Sequence, residues 1–240
     1  MRRVDPLADL ARLEGVASAM ASARDGIDAL LRDRGLRRTT PELTAESLFR
    51  GAWASAALEG SGSSAEDLRA GAADATGAAA VRMSTELLGL VPVLGRSPLQ
   101  ALARLHVLAA TGQVAADQLG RPRDPEAARR LGDLSRLVVS KTEAPALVVA
   151  AVVHAELATS APFASHNGLV ARASERLLLV ARGVDPTSLT VPEEGHRHRA
   201  EEYAARLAGY QEHGRPGVHA WLLHAADAYM TGAQASPLRG

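Results

Sequence analysis

The chain has no cysteine, a single lysine (Lys141) and very few aromatic side chains. Without cysteine it can form neither a disulfide nor a thiol nucleophile nor a cysteine zinc site, although that absence does not decide the compartment. Aromatics make up 3% of 240 residues while hydrophobic residues make up 47%. The core is therefore mostly alanine, leucine and valine, small enough for helices to approach closely, which favours an all-α fold over a sandwich. There is no charge excess either: 27 basic residues balance 27 acidic ones. That excludes the strongly basic character of an electrostatic nucleic-acid binder, so no nucleic-acid partner is expected. The abundance of arginine and alanine reads as the coding bias of a GC-rich bacterium.

No stretch reads as a membrane span or a signal peptide. Asp5 and Asp9 interrupt the apolar N-terminus, and the most apolar run, Ala144 to Ala155, is too short to cross a bilayer. A cytoplasmic protein with no membrane partner is expected. The length suits one main domain, read as an N-terminal helical extension over 1–40, a helical domain over 41–230 and a loose tail over 231–240.

Apolar residues at helical spacing predict a helix pair from Pro6 to Arg34, interrupted near Gly26, followed by a polar link at Arg37 and Arg38. Thr39 to Glu42 then starts a new helix. Thr40 as cap would put Pro41 at the favoured first position, and Thr39 as cap would give the capping-box spacing to Glu42. This helix runs to Gly60. Ser64 with Asp67 opens the next, with a break expected around Thr76 and Gly77. Gly112 to Pro125 is the longest connection, closed by Asp124 as cap with Pro125 at the first helical position. Pro145 to Thr159 is apolar on nearly all sides and predicts the buried central helix. His106 and His154 read as packed core histidines. The histidines at 196, 198, 213, 219 and 224 match no standard zinc spacing, with no acidic residue seen to complete a site, so they read as a solvated helix face and no metal site is expected.

Two short stretches carry the functional reading. Ala161 to Arg172 reads A-P-F-A-S-H-N-G-L-V-A-R, a loop feeding a helix. Pro162 ends the preceding helix, Phe163 enters the core, and Asn167 and Gly168 can aim successive N–H groups into one space, which makes the helix start a natural anion site. Arg172 returns to that side one turn later. On spacing alone, an ordinary helix corner with a surface arginine fits as well. The second stretch is S-A-A-L-E-G, Ser55 to Gly60.

The first stretch resembles the core of the Fic motif, H-P-F-x-[DE]-G-N-G-R-x-x-R, in Pro162, Phe163, Asn167, Gly168 and Arg172. The second resembles the inhibitory motif of that family, [ST]-x-x-x-E-[GN], in Ser55, Glu59 and Gly60. The resemblance implies a Fic-fold helical domain whose inhibitory helix spans 41–60, with a short β-hairpin flap near 112–125. It implies ATP and magnesium as ligands, a phosphate site at Asn167, Gly168 and Arg172, and a regulatory contact from Glu59 to Arg172. Four positions depart from the pattern. Ala161 replaces the histidine base and Ser165 the acidic magnesium ligand, which puts magnesium in doubt. His166 replaces the first anion-hole glycine and Leu169 the first arginine. No catalytic residue is therefore assigned. The expectation is a degenerate Fic-fold protein without ordinary AMP transfer, acting as a nucleotide-sensing or protein-binding module. The alternative is a nucleotidyl or phosphoryl transferase with a rebuilt site, in which His166 serves as base. A homo-oligomer is left open.

Overall fold

The computed structural model describes residues 5–32 and 39–239; the predicted link at Arg37 and Arg38 lies outside them. The described residues are helical throughout, with no strand among them. Helices α1 (Pro6–Ala11) and α2 (Val16–Leu30) are separated by a turn ending at Gly15, whose φ is +73°. The break thus falls earlier than expected, and Gly26 lies within α2 with no atom crowding its missing Cβ.

Helix α3 (Pro41–Leu58) is capped by Thr40, whose hydroxyl accepts from Leu43 N–H over 3.4 Å, settling the choice between the two threonines. Its other end closes in a Schellman motif, in which Gly60 N–H donates to Ala57 and Ser61 N–H to Ala56. Gly60 supplies the required left-handed residue, with φ of +85°. Helix α4 (Ala65–Ala70) begins with the Ser64–Asp67 capping box and ends at Gly71; α5 (Ala75–Glu86) restarts under Asp74, so the break precedes Thr76. A 3₁₀ turn over Leu87–Leu90 leads to α6 (Val91–Arg96) and α7 (Pro98–Ala110).

The connection from 112 to 125 is not a β-hairpin. It contains a 3₁₀ turn at Ala116–Gln118 and is tied down at two points: Gly120 N–H donates to His106 Nδ1 over 2.9 Å, and Arg123 N–H donates to the Pro162 carbonyl over 2.9 Å. With those groups bonded inward, the segment presents no strand ladder. Asp124 then caps α8 (Pro125–Val139) through Ala127 N–H, as the sequence predicts.

Helix α9 (Ala146–Ser160) is buried from Leu147 to Ala155, which explains its unbroken apolar sequence. It lies against α10 (Asn167–Ala181), buried from Leu169 to Leu179 even though that stretch includes Arg172, Ser174, Glu175 and Arg176. Helices α11 (Pro192–His198), α12 (Ala200–Glu212) and α13 (Gly214–Gln234) complete the fold, with α2 and α11 packed on α13. Trp221 is fully buried and its indole N–H donates to the Ala151 carbonyl over 2.8 Å, joining α13 to α9. Within the tail expected to be loose, residues 231–239 pack onto the fold. α13 continues to Gln234 with Gly232 and Ala233 buried, and a 3₁₀ turn at Pro237–Arg239 buries Leu238.

Candidate functional site

The site forms where the end of α3 meets the start of α10. Residues Ser47, Gly51, Ser55 and Glu59 recur every four positions and so share one face of α3. Gly168, Arg172 and Arg176 do the same on α10. The small residues on α3 leave room for the two guanidiniums: a Cβ at Gly51 would fall 2.6 Å from Arg176 Nη2.

Arg172 is 1% exposed. Its Nε donates to Ser55 Oγ over 2.7 Å, its Nη2 to the Ser55 carbonyl over 3.1 Å and to Glu59 Oε1 over 2.7 Å, and its Nη1 to Tyr203 Oη over 3.0 Å. Burial alone would lower the guanidinium pKa, but Tyr203 and Glu59 more than offset it and hold it above the ordinary value. Arg176 is also buried, in a bidentate pair with Glu193 at 2.8 and 2.6 Å, and it donates to Ser47 and Ser188.

The Glu59 carboxylate also touches Gly168: a Cβ there would overlap Glu59 Oε1 and lie 3.3 Å from Arg172 Nη1. It therefore rests against the first turn of α10, where the opening N–H groups of a helix lack intrahelical acceptors and the dipole favours an anion. Gly168 and Arg172, read together from the sequence, are brought together here, with the Glu59 carboxylate against both. Ser55 and Gly60 contribute as an acceptor for Arg172 and as the cap that ends α3.

The Asn167 side chain has a task of its own. Its side-chain oxygen accepts from Phe163 N–H over 2.9 Å and its amide donates to the Phe163 carbonyl over 3.0 Å, so the side chain closes the loop. Phe163 is buried and stacks on His106 at 4.4 Å. His166 adopts φ of +56°, keeping glycine-like geometry with a bulky residue, and Ala161 is left-handed at φ of +43°. His166 Nδ1 lies 2.6 Å from Ser165 Oγ, and burial lowers the imidazole pKa. This donor set does not fit magnesium: the position offers a hydroxyl already engaged by His166 in place of a carboxylate.

The C-terminal histidines require a correction. His198 and His213 are exposed, but His196 and His224 are buried, and His196 meets His154 and a carboxylate, Glu175. Sequence reasoning missed this because the three residues lie on three helices, and Glu175 gives no local sign that it faces inward. Burial lowers the pKa of His154 and His224 to about 4, against the opposing pull of Glu175. Beside them, the Glu175 carboxyl is kept below its usual range: burial opposes its ionisation, but the facing His154 and His196 outweigh that.

No protein-family model and no curated protein sequence matches the chain. Solved structures do. A Fic family protein from Desulfovibrio desulfuricans G20 superposes with a TM-score of 0.78 at 19% identity, over 93% of this chain and 74% of that one. A fragment of Fic-1 from C. elegans gives 0.70 at 15% identity, over 92% and 71%. A Glu-to-Gly variant of that fragment gives 0.68 at 17%, over 91% and 71%. At these identities the likeness is one of architecture, and the fold of this chain is the Fic fold.

Proposed function

We propose that this is a cytoplasmic Fic-fold module that binds a phosphate-bearing ligand, a nucleotide first, without performing ordinary AMP transfer, and that Glu59 is its internal stopper. One observation carries the reading: the Glu59 carboxylate lies between Gly168 and the buried Arg172, the position a phosphate would need, while Ala161 offers no base beside it. Transfer to a hydroxyl needs a proton acceptor and a cation on the phosphates, because negative charge builds on the transferring oxygens. Ala161 supplies no acceptor, Ser165 no carboxylate and Leu169 no second guanidinium. Binding is retained, since the helix start and Arg172 require neither.

The test compares wild type with Glu59→Gly, using labelled ATP with bacterial lysate and a thermal-shift screen across nucleotides with and without magnesium. The expected outcome is no labelled AMP incorporated by either form, with nucleotide stabilisation appearing or increasing in the variant. Robust incorporation would overturn the non-transferring reading. An unchanged thermal response would overturn the stopper.

The 2.6 Å contact between His166 Nδ1 and Ser165 Oγ favours a second reading, a rebuilt transferase in which this pair activates a hydroxyl. The same assay decides it, because loss of incorporation in His166→Ala would assign the activity to that pair.

A further inference from the structure

We propose that His154, Glu175 and His196 form a buried site for a divalent first-row transition metal ion of the zinc class, which fastens α11 to the central α9–α10 pair. His154 Nδ1 and His196 Nε2 lie 3.1 and 3.0 Å from the same carboxylate oxygen, Glu175 Oε2, and the donor atoms all fall within 4.8 Å of one another. Ligand bonds of about 2.0 to 2.2 Å around one centre bring neighbouring donors to roughly 3 to 3.5 Å, so the two separations from Glu175 Oε2 already match, while the imidazole nitrogens, within 4.8 Å of each other, would close towards one another on binding. Two imidazoles and a carboxylate, with coordination positions left over, are a donor set that proteins use for zinc and ferrous iron.

Each of the three ligands is also anchored at its far atom. His154 Nε2 lies 2.9 Å from Tyr203 Oη, His196 Nδ1 lies 3.3 Å from His224 Nε2, and Tyr229 Oη donates to Glu175 Oε1 over 2.8 Å. Partners of this kind fix ring orientation and carboxylate rotamer around a metal. Trp221 closes the site with an apolar wall, edge-on to His154 and stacked on His196.

Two features of this arrangement call for a cation. His154 Nδ1 is buried without a hydrogen-bond partner: it stands 3.1 Å from the carboxylate, yet not in the direction an N–H···O bond requires. A buried nitrogen left in that state is unfavourable, and a metal would use its lone pair. Glu175 is a buried carboxylate, and among the described residues no arginine hydrogen-bonds to it; Arg172 and Arg176 pair with Glu59 and Glu193 instead. The site is sealed, so the ion would enter as the chain folds.

The experiment is to unfold the full chain in denaturant with a chelator and refold it with zinc, with cobalt(II), or with chelator alone. Metal content, the cobalt visible spectrum and zinc-edge X-ray absorption are then measured. The expected result is one metal per chain with imidazole and carboxylate in a low-coordinate shell, and a higher melting temperature than the chelator sample. Glu175→Gln and His196→Gln should lose the metal, Tyr229→Phe should hold it about 10-fold more weakly, and a double His198→Gln, His213→Gln control should keep it. If the two core variants do not fold, the absorption spectrum of the wild type decides: a six-coordinate, water-rich shell would place the ion on the surface and overturn the site. Refolding without metal uptake, or uptake retained by both core variants, would overturn it as well.

Discussion

Arg172 and Glu59 form an asymmetric pair. The guanidinium is sealed in the core, whereas the side chain of Glu59, 2.7 Å away, is 29% exposed. One partner is fixed and the other can be reached from solvent, which is the arrangement a displaceable stopper needs.

Glu59→Gly should lower stability by about 1 to 3 kcal/mol. A fully buried broken pair costs more, but Glu59 is partly solvated and Arg172 keeps its bonds to Ser55 and Tyr203. Urea unfolding measures this directly. A loss near zero would mean that the carboxylate is not held by the guanidinium.

Gly168→Ala should expel the same carboxylate without altering it, because the new methyl would occupy the space of Glu59 Oε1. Alone it should cost on the order of 1 to 3 kcal/mol; in the Glu59→Gly background it should cost little, giving a clear coupling in a double-mutant cycle. Additive effects would show that the two residues do not compete for one space.

Arg172→Ala should be the more damaging change, about 3 to 5 kcal/mol, since it strands Glu59, Ser55 and Tyr203 together. Arg172→Lys should recover only part of the loss, because one ammonium cannot reproduce a planar fork spread over three partners. Equal stability of the lysine variant and wild type would contradict the geometry.

His106 makes a pH prediction. Its Nδ1 accepts from Gly120 N–H, so the folded state needs the neutral ring; burial, with a smaller contribution from His166, lowers its pKa from 6.5 to about 4. A histidine with depressed folded pKa contributes stability that is whole above pH 6.5 and lost as pH falls towards 4. This one histidine is worth on the order of 3 kcal/mol. His106→Gln, whose side-chain oxygen can accept the same N–H, should flatten the stability slope between pH 6.5 and 4. An unchanged slope would assign the acid sensitivity to other groups.

Much of this was legible in the sequence, for local reasons. Asp124 before Pro125 marks a helix start because cap and first residue are adjacent, and the run from Leu147 to Ala155 is apolar all round because every face is covered. The pairing of Glu59 with Arg172 was legible only through a family resemblance, since 113 residues separate them. The side-chain bonds of Asn167 to Phe163 were not legible, because an amide at a helix start can close a loop or stay free and periodicity does not distinguish the two. Glu175 was hidden because a charged residue on a helix ordinarily faces water; its partners come from α9 before it and from α11 and α13 after it.

On the proposed binding role, the four-residue ladder between α3 and α10 also sets how quickly the space held by Glu59 can open. Swinging α3 away would strip Arg172 from Ser55 and Arg176 from Ser47, exposing two buried guanidiniums at once, a helix-undocking event of microseconds to milliseconds or slower. Rotating the partly exposed Glu59 side chain breaks one ion pair and leaves the helix docking intact, a far faster motion. Ligand arrival should therefore be governed by encounter and charge, with rates that respond to ionic strength, and α3 should keep its amide protons through many cycles of binding.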